Sequence, residues 1–231
     1  MIAVFDLDYT LTQRGTWGRF VWRSVRTRPW FWGPLLFETI RDQIEYKAGR
    51  RPRGAVKQSM MRWSLMRRTR PDLEKMAGAF ADAEIRSGLR PGGRAALAYH
   101  RDRGDHILIA SAGVDLIVGP IAERLKVDGV VCTQMAWKAD RLEDRFASEN
   151  CYGDAKRAAV TSYLIANNLT GPTVFYTDSR ADFALLPIMD QTIVVDPKAK
   201  TRADAQNLSL PIQHWAKSEG GFEPAPQMTK S

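Results

Sequence analysis

The chain has 231 residues, 44% of them hydrophobic and 26% charged, which is the balance of an ordinary folded protein and excludes a low-complexity or disordered one. Its longest strongly apolar, uncharged stretch, residues 29–37, falls far short of the roughly 20 residues a membrane-spanning helix needs, so no integral membrane protein is expected. The net charge of +8 is unevenly placed: residues 13–70 carry fifteen Lys or Arg against three acidic residues, a balance of +12, and the rest of the chain sums to about −4.

At the N-terminus, Ile2-Ala3-Val4-Phe5 is a continuous apolar run, as expected of a strand buried on both faces of a parallel sheet. Asp6-Leu7-Asp8-Tyr9-Thr10 follows without a break, placing two carboxylates at the carboxyl edge of that strand, where open α/β sheets bind ligands. Like charges so close are costly unless a cation or a charged substrate is expected there; a bare Asp-x-Asp could otherwise be a solvated acidic turn. The acidic start, without a basic n-region, gives no sign of a signal peptide.

Residues 13–88 read as four helices. Trp17, Phe20, Val21 and Val25 share one helical face, Leu36, Ile40 and Ile44 repeat the spacing, and Gly49 is a stop. Val56, Met60 and Ser64 mark a third helix. Pro71 opens a fourth carrying Leu73, Met76, Ala77 and Phe80. Five of the seven tryptophans (Trp17, Trp22, Trp30, Trp32 and Trp63) fall here, so this segment is expected to form a separate cap. The α/β alternation then resumes: a helix over 92–103, a strand over 106–111, a helix near 114–125 and a short strand over 129–133. A hairpin flap is expected within 134–146, a helix capped by Asp154 runs to Asn167, and strands over 173–177 and 192–195 flank a short helix over 181–187. Strand–helix alternation of this kind predicts a doubly wound, mainly parallel sheet. The predicted organisation is an α/β core of residues 1–12 and 89–217, a helical cap of residues 13–88, and a disordered tail from Ser218 to Ser231 with its Gly and Pro residues.

Three later stretches carry further chemistry. Ser111 precedes Ala112-Gly113 and a predicted helix start, where a hydroxyl and backbone N–H groups can cradle phosphate, although Ser-Ala-Gly is also an ordinary turn. Lys156 sits in the first turn of its helix, where a cation opposes the dipole unless it faces an anion; a solvated lysine is the alternative. Asp178 and Asp182 follow a strand in Thr-Asp-Ser-Arg-Ala-Asp, which alone could be an acidic helix cap. Two cysteines, Cys132 and Cys151, form no disulfide framework, and His100, His106 and His214 have no metal spacing; a reducing cytoplasm is the expected setting.

These four stretches, in this order, resemble the motifs of the haloacid dehalogenase (HAD) superfamily in its phosphatase form. The resemblance implies a Rossmann-like core, an Mg²⁺ cofactor and phosphomonoester hydrolysis through an aspartyl-phosphate. Asp6 would be the nucleophile and Asp8 the acid and base. Asp6, the Asp8 carbonyl and Asp178 would ligate the metal, Ser111, Ala112 and Lys156 would bind phosphate, and Thr10 and Asp182 would support them. An acid at position 8 argues against carbon–halogen chemistry.

The placement of the cap resembles the phosphoserine-phosphatase-like branch. Phosphoserine phosphatases, however, usually carry Gly where Tyr9 stands, Ser-Gly-Gly where Ser111-Ala112-Gly113 stands, Gly-Asp-Gly-x-Asn-Asp in the fourth motif, and a glutamate soon after the first. Here no acidic residue occurs between Asp8 and Glu38. The basic, Trp-rich cap is similar to that of the phosphatidylglycerophosphate phosphatases of the same branch. It suggests peripheral contact with an anionic membrane at the inner face; the plainer reading is that the tryptophans pack the cap beneath a solvated basic face. The substrate stays open between a small anionic phosphomonoester and a lipid headgroup. Phosphoserine hydrolysis and a basic nucleic-acid- or membrane-binding protein with an idle core are the alternatives, and nucleic acid would leave the acidic set unexplained.

Overall fold

In the computed structural model, which describes residues 1–225, the chain opens with β1 (Ile2–Phe5) and a wide turn over Leu7–Leu11. Four helices follow: α1 (Thr16–Val25), α2 (Trp32–Lys47), α3 (Arg53–Ser64) and α4 (Arg70–Ala83). Then come α5 (Pro91–Asp102), β2 (His106–Val114), α6 (Asp115–Leu125) and β3 (Gly129–Thr133). The hairpin β4 (Met135–Lys138) and β5 (Arg141–Phe146) precedes α7 (Asp154–Ala166) and β6 (Thr173–Thr177). After 3₁₀ turns over Arg180–Ile188 the chain finishes with β7 (Gln191–Val195), α8 (Ala199–Asn207) and β8 (Ile212–Gln213).

Six strands form one parallel sheet in the order β3-β2-β1-β6-β7-β8. The alternation of β1 explains why it is central. Ala3 and Phe5 join Ile107, Ile109, Val174 and Tyr176 in the core on one face. Ile2 and Val4 join Leu108, Ala110, Phe175 and Val160 on the other. A strand apolar at every position satisfies both layers, and its parallel neighbours match it residue for residue, Val4 opposite Leu108 and Phe175. From β1 the chain steps to β2 and β3 on one side, then crosses back to β6 and β7 on the other. The carboxyl end of β1 therefore lies at the switch point where such sheets bind ligands.

The helical segment leaves and re-enters beside that point: Thr12 forms an isolated antiparallel bridge with Leu89, Gln13 N–H donates to Gly88 O at 2.8 Å and Arg90 N–H to Leu11 O at 2.8 Å. The expected face of α1 is buried, with Trp17, Phe20, Val21 and Val25 all in the core. The expected face of α2 is not: Leu36, Ile40 and Ile44 are each more than half exposed, and Leu35 and Asp42 are buried instead. The inversion is set by Asp42, whose carboxylate accepts from Ser59 Oγ on α3 and, at 3.0 Å each, from Arg41 and Arg51.

The final third corrects three expectations. The N-cap of α7 is Gly153 (φ 59°, ψ −127°), a conformation few other residues adopt; Asp154 is the first helical residue and pairs with Arg157 at 3.0 Å. Strand β7, with which the predicted elements end, is followed by α8 and β8. The polar helix α8 buries only Thr201 and Ala205, and β8 has two residues, so neither leaves a periodic signal. The tail expected to be disordered from Ser218 is packed through Ala225. Fully buried Trp215 donates from Nε1 to Gln213 Oε1 at 2.8 Å and covers Gly92, where any Cβ would collide with its ring at 2.6 Å. Beyond it, Phe222 packs on Tyr99 and Trp215, and Gln213 Nε2 holds Glu223 O at 2.7 Å. Residues 226–231 of that tail lie outside the described residues.

Candidate active site

The extended backbone of Asp6 (φ −69°, ψ 155°) continues the line of β1, and its amide is fixed to Tyr176 O at 2.9 Å. Its buried carboxylate accepts from Lys156 Nζ through Oδ1 at 2.9 Å and from Thr10 Oγ1 through Oδ2 at 3.3 Å. The wide turn after it then reverses the chain and sends Asp8 elsewhere. That turn needs Tyr9 in the left-handed region (φ 64°), with its carbonyl held by Arg90 Nε at 2.9 Å. Asp8 Oδ1 accepts the N–H of Thr16 at 2.8 Å, so the first residue of α1 orients this carboxyl. Thr10 faces both ways, since its Oγ1 also accepts from the amide of Asp178 at 2.9 Å.

Lys156 enters from the first turn of α7 and is buried between Asp6 and Asp182, 2.9 and 2.8 Å away. Asp182 is fixed from its other oxygen by Thr177 Oγ1 at 2.9 Å. Asp178 follows β6 directly and is less enclosed than Asp182. Asp6, Asp8, Ser111, Ala112, Lys156, Asp178 and Asp182 all line one pocket of about 220 Å³, and Thr10 supports it through Asp6 and Asp178.

Two details near Ser111 differ from expectation. Strand β2 runs three residues past it to Val114, with a break in its pairing to β3 between Ser111 and Val114. The start of α6 is satisfied locally, because Asp115 Oδ1 accepts from the amides of Leu116 (2.9 Å) and Met135 (3.1 Å). Among the described residues, none of α6 lines the pocket. What faces it is the Ser111 hydroxyl, which accepts the Gly113 amide at 3.0 Å, with a backbone so close that a Cβ on Gly113 would meet Val118 at 2.7 Å. The carbonyl of Ala112 accepts from Lys57 Nζ and, at 3.2 Å, from Thr133 Oγ1.

Burial governs the electrostatics. It pushes Asp6 up to about 7; Lys156 opposes this, and Asp182 and Asp178 add to it. Asp178 is pushed up to about 6 by burial and then by Asp182, against Lys156. Asp8 is also raised by burial, against its bonds from Thr16. Burial would depress Lys156, but the carboxylates of Asp182 and Asp6 outweigh it and hold the ammonium above the ordinary lysine range. Four carboxylates thus share one pocket with Lys57, Lys156 and Lys198, and Lys156 is bonded to two of them. Oxygen donors in that number, three of them protonating more readily than usual, fit a divalent cation at Asp6 and Asp178. Among the described residues, no three His, Cys, Asp or Glu side chains form a metal-holding group by themselves.

Several pocket residues carried no sequence signal. Lys57, one of fifteen basic residues in its segment, reaches in from α3 and is held by Ala112 O and, at 2.7 Å, Asn150 Oδ1. Trp17, Tyr152, Ser179 and Lys198 complete the wall, with Lys198 lying 5.2 Å above the Tyr9 ring. Cys151 stays outside the chemistry: it is buried, and burial pushes its thiol up to about 11.

Comparison with known proteins adds a family to this geometry. The family model for haloacid dehalogenase-like hydrolases matches residues 3–187. Protein CicA of Caulobacter vibrioides is 29% identical over 202 residues, 83% of this chain and 84% of that protein. A protein of unknown function from Bordetella pertussis Tohama I shares the fold with a TM-score of 0.78 at 22% identity, over 91% of this chain and 96% of that one. A phosphoserine phosphohydrolase-like protein from Francisella tularensis shares it at 0.64 and 16% identity, over 91% and 94% of the two chains.

Proposed function

The chain belongs to the haloacid dehalogenase-like hydrolases, and we propose that it is an Mg²⁺-dependent phosphomonoesterase working through an aspartyl-phosphate. The observation that carries this reading is the convergence of Asp6, Asp8, Lys156 and Asp178 in one pocket at the switch point of the sheet. Residues 13–88 act as the cap. Asp6, Asp178 and the Asp8 carbonyl would hold Mg²⁺, which when bound neutralises charge on the phosphoryl oxygens.

An Asp6 carboxylate oxygen attacks phosphorus and the bond to the leaving oxygen breaks. Lys156, bonded to Asp6, stabilises the phosphoryl oxygens together with the Ser111 hydroxyl. Asp8, its carboxyl raised by burial and oriented by the Thr16 amide, gives its proton to the leaving oxygen. The resulting Asp8 carboxylate then takes a proton from water, whose oxygen attacks phosphorus and releases inorganic phosphate and the free Asp6 carboxylate.

The cap side of the pocket favours an anionic or neutral leaving group. Trp17 and Lys57 stand there, and no cap carboxylate lines the pocket among the described residues. An ammonium group such as that of phosphoserine would find no counter-charge on that side. We therefore favour a small anionic phosphomonoester or a phospholipid headgroup phosphate, processed in the cytoplasm or at the inner membrane face. The test is a panel of an aryl phosphate, phosphoserine and phosphatidylglycerophosphate in detergent micelles, each with Mg²⁺ and with EDTA. Mg²⁺-dependent phosphate release that is weakest on phosphoserine is expected. Release from none of them overturns the reaction, and a preference for phosphoserine overturns the substrate reading.

A further inference from the structure

Helix α2 is inside out. Its buried side carries Leu35 and the charged Asp42, whereas Leu36, Phe37, Ile40 and Ile44 are 57, 68, 57 and 56% exposed. At 100° per residue these four fall within one arc of about 100°, so they form a continuous apolar stripe rather than scattered surface residues. Glycine at position 33 extends the same side, with open space where a Cβ would stand. Trp30, 69% exposed, lies just before the helix, and Trp22, 56% exposed, packs its ring 5.1 Å from that of Trp32. Trp32 itself turns inward and donates from Nε1 to Val25 O at 3.1 Å, and Trp17 is in the core. The exposed aromatic character of the cap thus rests on Trp22, Trp30 and Phe37.

A stripe of this kind needs an occupant, and the surrounding charge selects it. All three acidic residues of segment 13–70 are engaged by arginine: Glu38 by Arg62, Asp42 by Arg41 and Arg51, and Glu45 by Arg50. The segment keeps a balance of +12; exposed Lys47, in the last turn of α2, falls within the same arc as the stripe, and exposed Arg23 and Arg26 stand at the end of α1 next to Trp22. A second copy of this chain would bring an equal positive charge against it. An anionic bilayer supplies both the apolar interior for the stripe and the negative surface for the arginines. No helix among the described residues is long and apolar enough to cross a membrane, so α2, about 24 Å long at 1.5 Å per residue, would lie in the plane of the interface.

We propose that the outer face of α2, centred on Leu36, Phe37, Ile40 and Ile44 with Trp30 beside it, docks this protein on anionic lipid bilayers. The surface stands on the cap alone and does not depend on the reaction assigned to the pocket. It gives that pocket access to phosphate esters at a membrane.

The experiment is co-sedimentation of the full chain with vesicles of phosphatidylcholine alone and of phosphatidylcholine with phosphatidylglycerol, at low and at physiological salt. It compares the natural chain with Phe37→Glu/Ile40→Glu, whose folding is checked by circular dichroism and thermal melting and whose aryl-phosphate turnover should be unchanged. The expected result is binding to anionic vesicles that weakens with salt and falls at least tenfold in the folded variant. Absence from the anionic pellet overturns the proposal, as does equal binding by the folded variant. Should the pair not fold, Phe37→Ser alone serves in its place under the same criteria. Light scattering completes the test: a dimer that dissociates in the variant, without vesicle binding, gives the face to a second copy and overturns the bilayer. Loss of phosphatase activity across the substrate panel with vesicle binding intact would refute the reaction and leave the docking surface standing.

Discussion

Replacing Lys156 with Met tests the electrostatic centre of the pocket, because it keeps the length of the side chain and removes only the ammonium. In the natural chain that ammonium lies 2.9 Å from Asp6 and 2.8 Å from Asp182, both nearly enclosed by protein. Without it two buried carboxylates face each other uncompensated, and breaking a buried pair in this way costs about 3–5 kcal/mol. The loss must depend on pH. Ionisation of a carboxylate whose folded pKa lies above the unfolded value opposes folding; Asp6, which burial raises to about 7 even with the ammonium in place, holds its proton at pH 5, so the penalty is smaller there and grows as the pH rises past about 7. The assay is urea unfolding of both proteins in EDTA at pH 5 and pH 8. The double variant Lys156→Met/Asp182→Asn should recover much of the stability, since one carboxylate charge is gone, yet remain inactive. A loss below about 1 kcal/mol at pH 8, or an equal loss at both pH values, would refute the reasoning.

Asp8→Asn should slow turnover roughly 10²–10⁴-fold on alkyl phosphates and less on aryl phosphates, whose leaving groups need less help from an acid; steady-state kinetics on both classes decides it. In EDTA the protein should lose stability as pH rises from about 4 toward 7, because Asp6 and Asp178 hold their protons more tightly folded than unfolded. Mg²⁺ at 100 times its dissociation constant should then restore about 2.7 kcal/mol at pH 7.5, read from melting curves. Trp215→Ala should cost about 3–5 kcal/mol in urea unfolding, because its fully buried ring closes the core over Gly92 and carries the contact with Phe222.

Much of the sheet was legible in the sequence because a strand buried on both faces needs apolar residues at every position, and β1 and the middle of β2 have them. The charged residues that meet in the pocket were legible for a related reason. Asp6, Asp8, Lys156 and Asp178 are charged groups at strand ends or in a helix first turn, where charge is costly without a ligand. The groups that orient them were not. The donor that sets Asp8 is the backbone amide of Thr16, and every residue but proline has one. Lys57 is one lysine in an arginine-rich stretch, and only the packing of α3 brings it to the pocket. Periodicity misjudged α2 because it reports that a helix has two faces and not which one the protein keeps. There the bonds from Ser59, Arg41 and Arg51 to Asp42 decided. The closing strap of Gln213, Trp215 and Phe222 has no period at all, and its Gly- and Pro-rich surroundings resemble a loose end.

The central claim is that Asp6 becomes covalently phosphorylated, and trapping tests it most directly. The enzyme is quenched during turnover of an aryl phosphate, treated with borohydride to reduce any acyl phosphate, digested and read by mass spectrometry. The N-terminal peptide should carry homoserine in place of Asp6, with Mg²⁺ required and with no such product from Asp6→Asn. Turnover with an unmodified Asp6, or with the phosphoryl group on another residue, would contradict it.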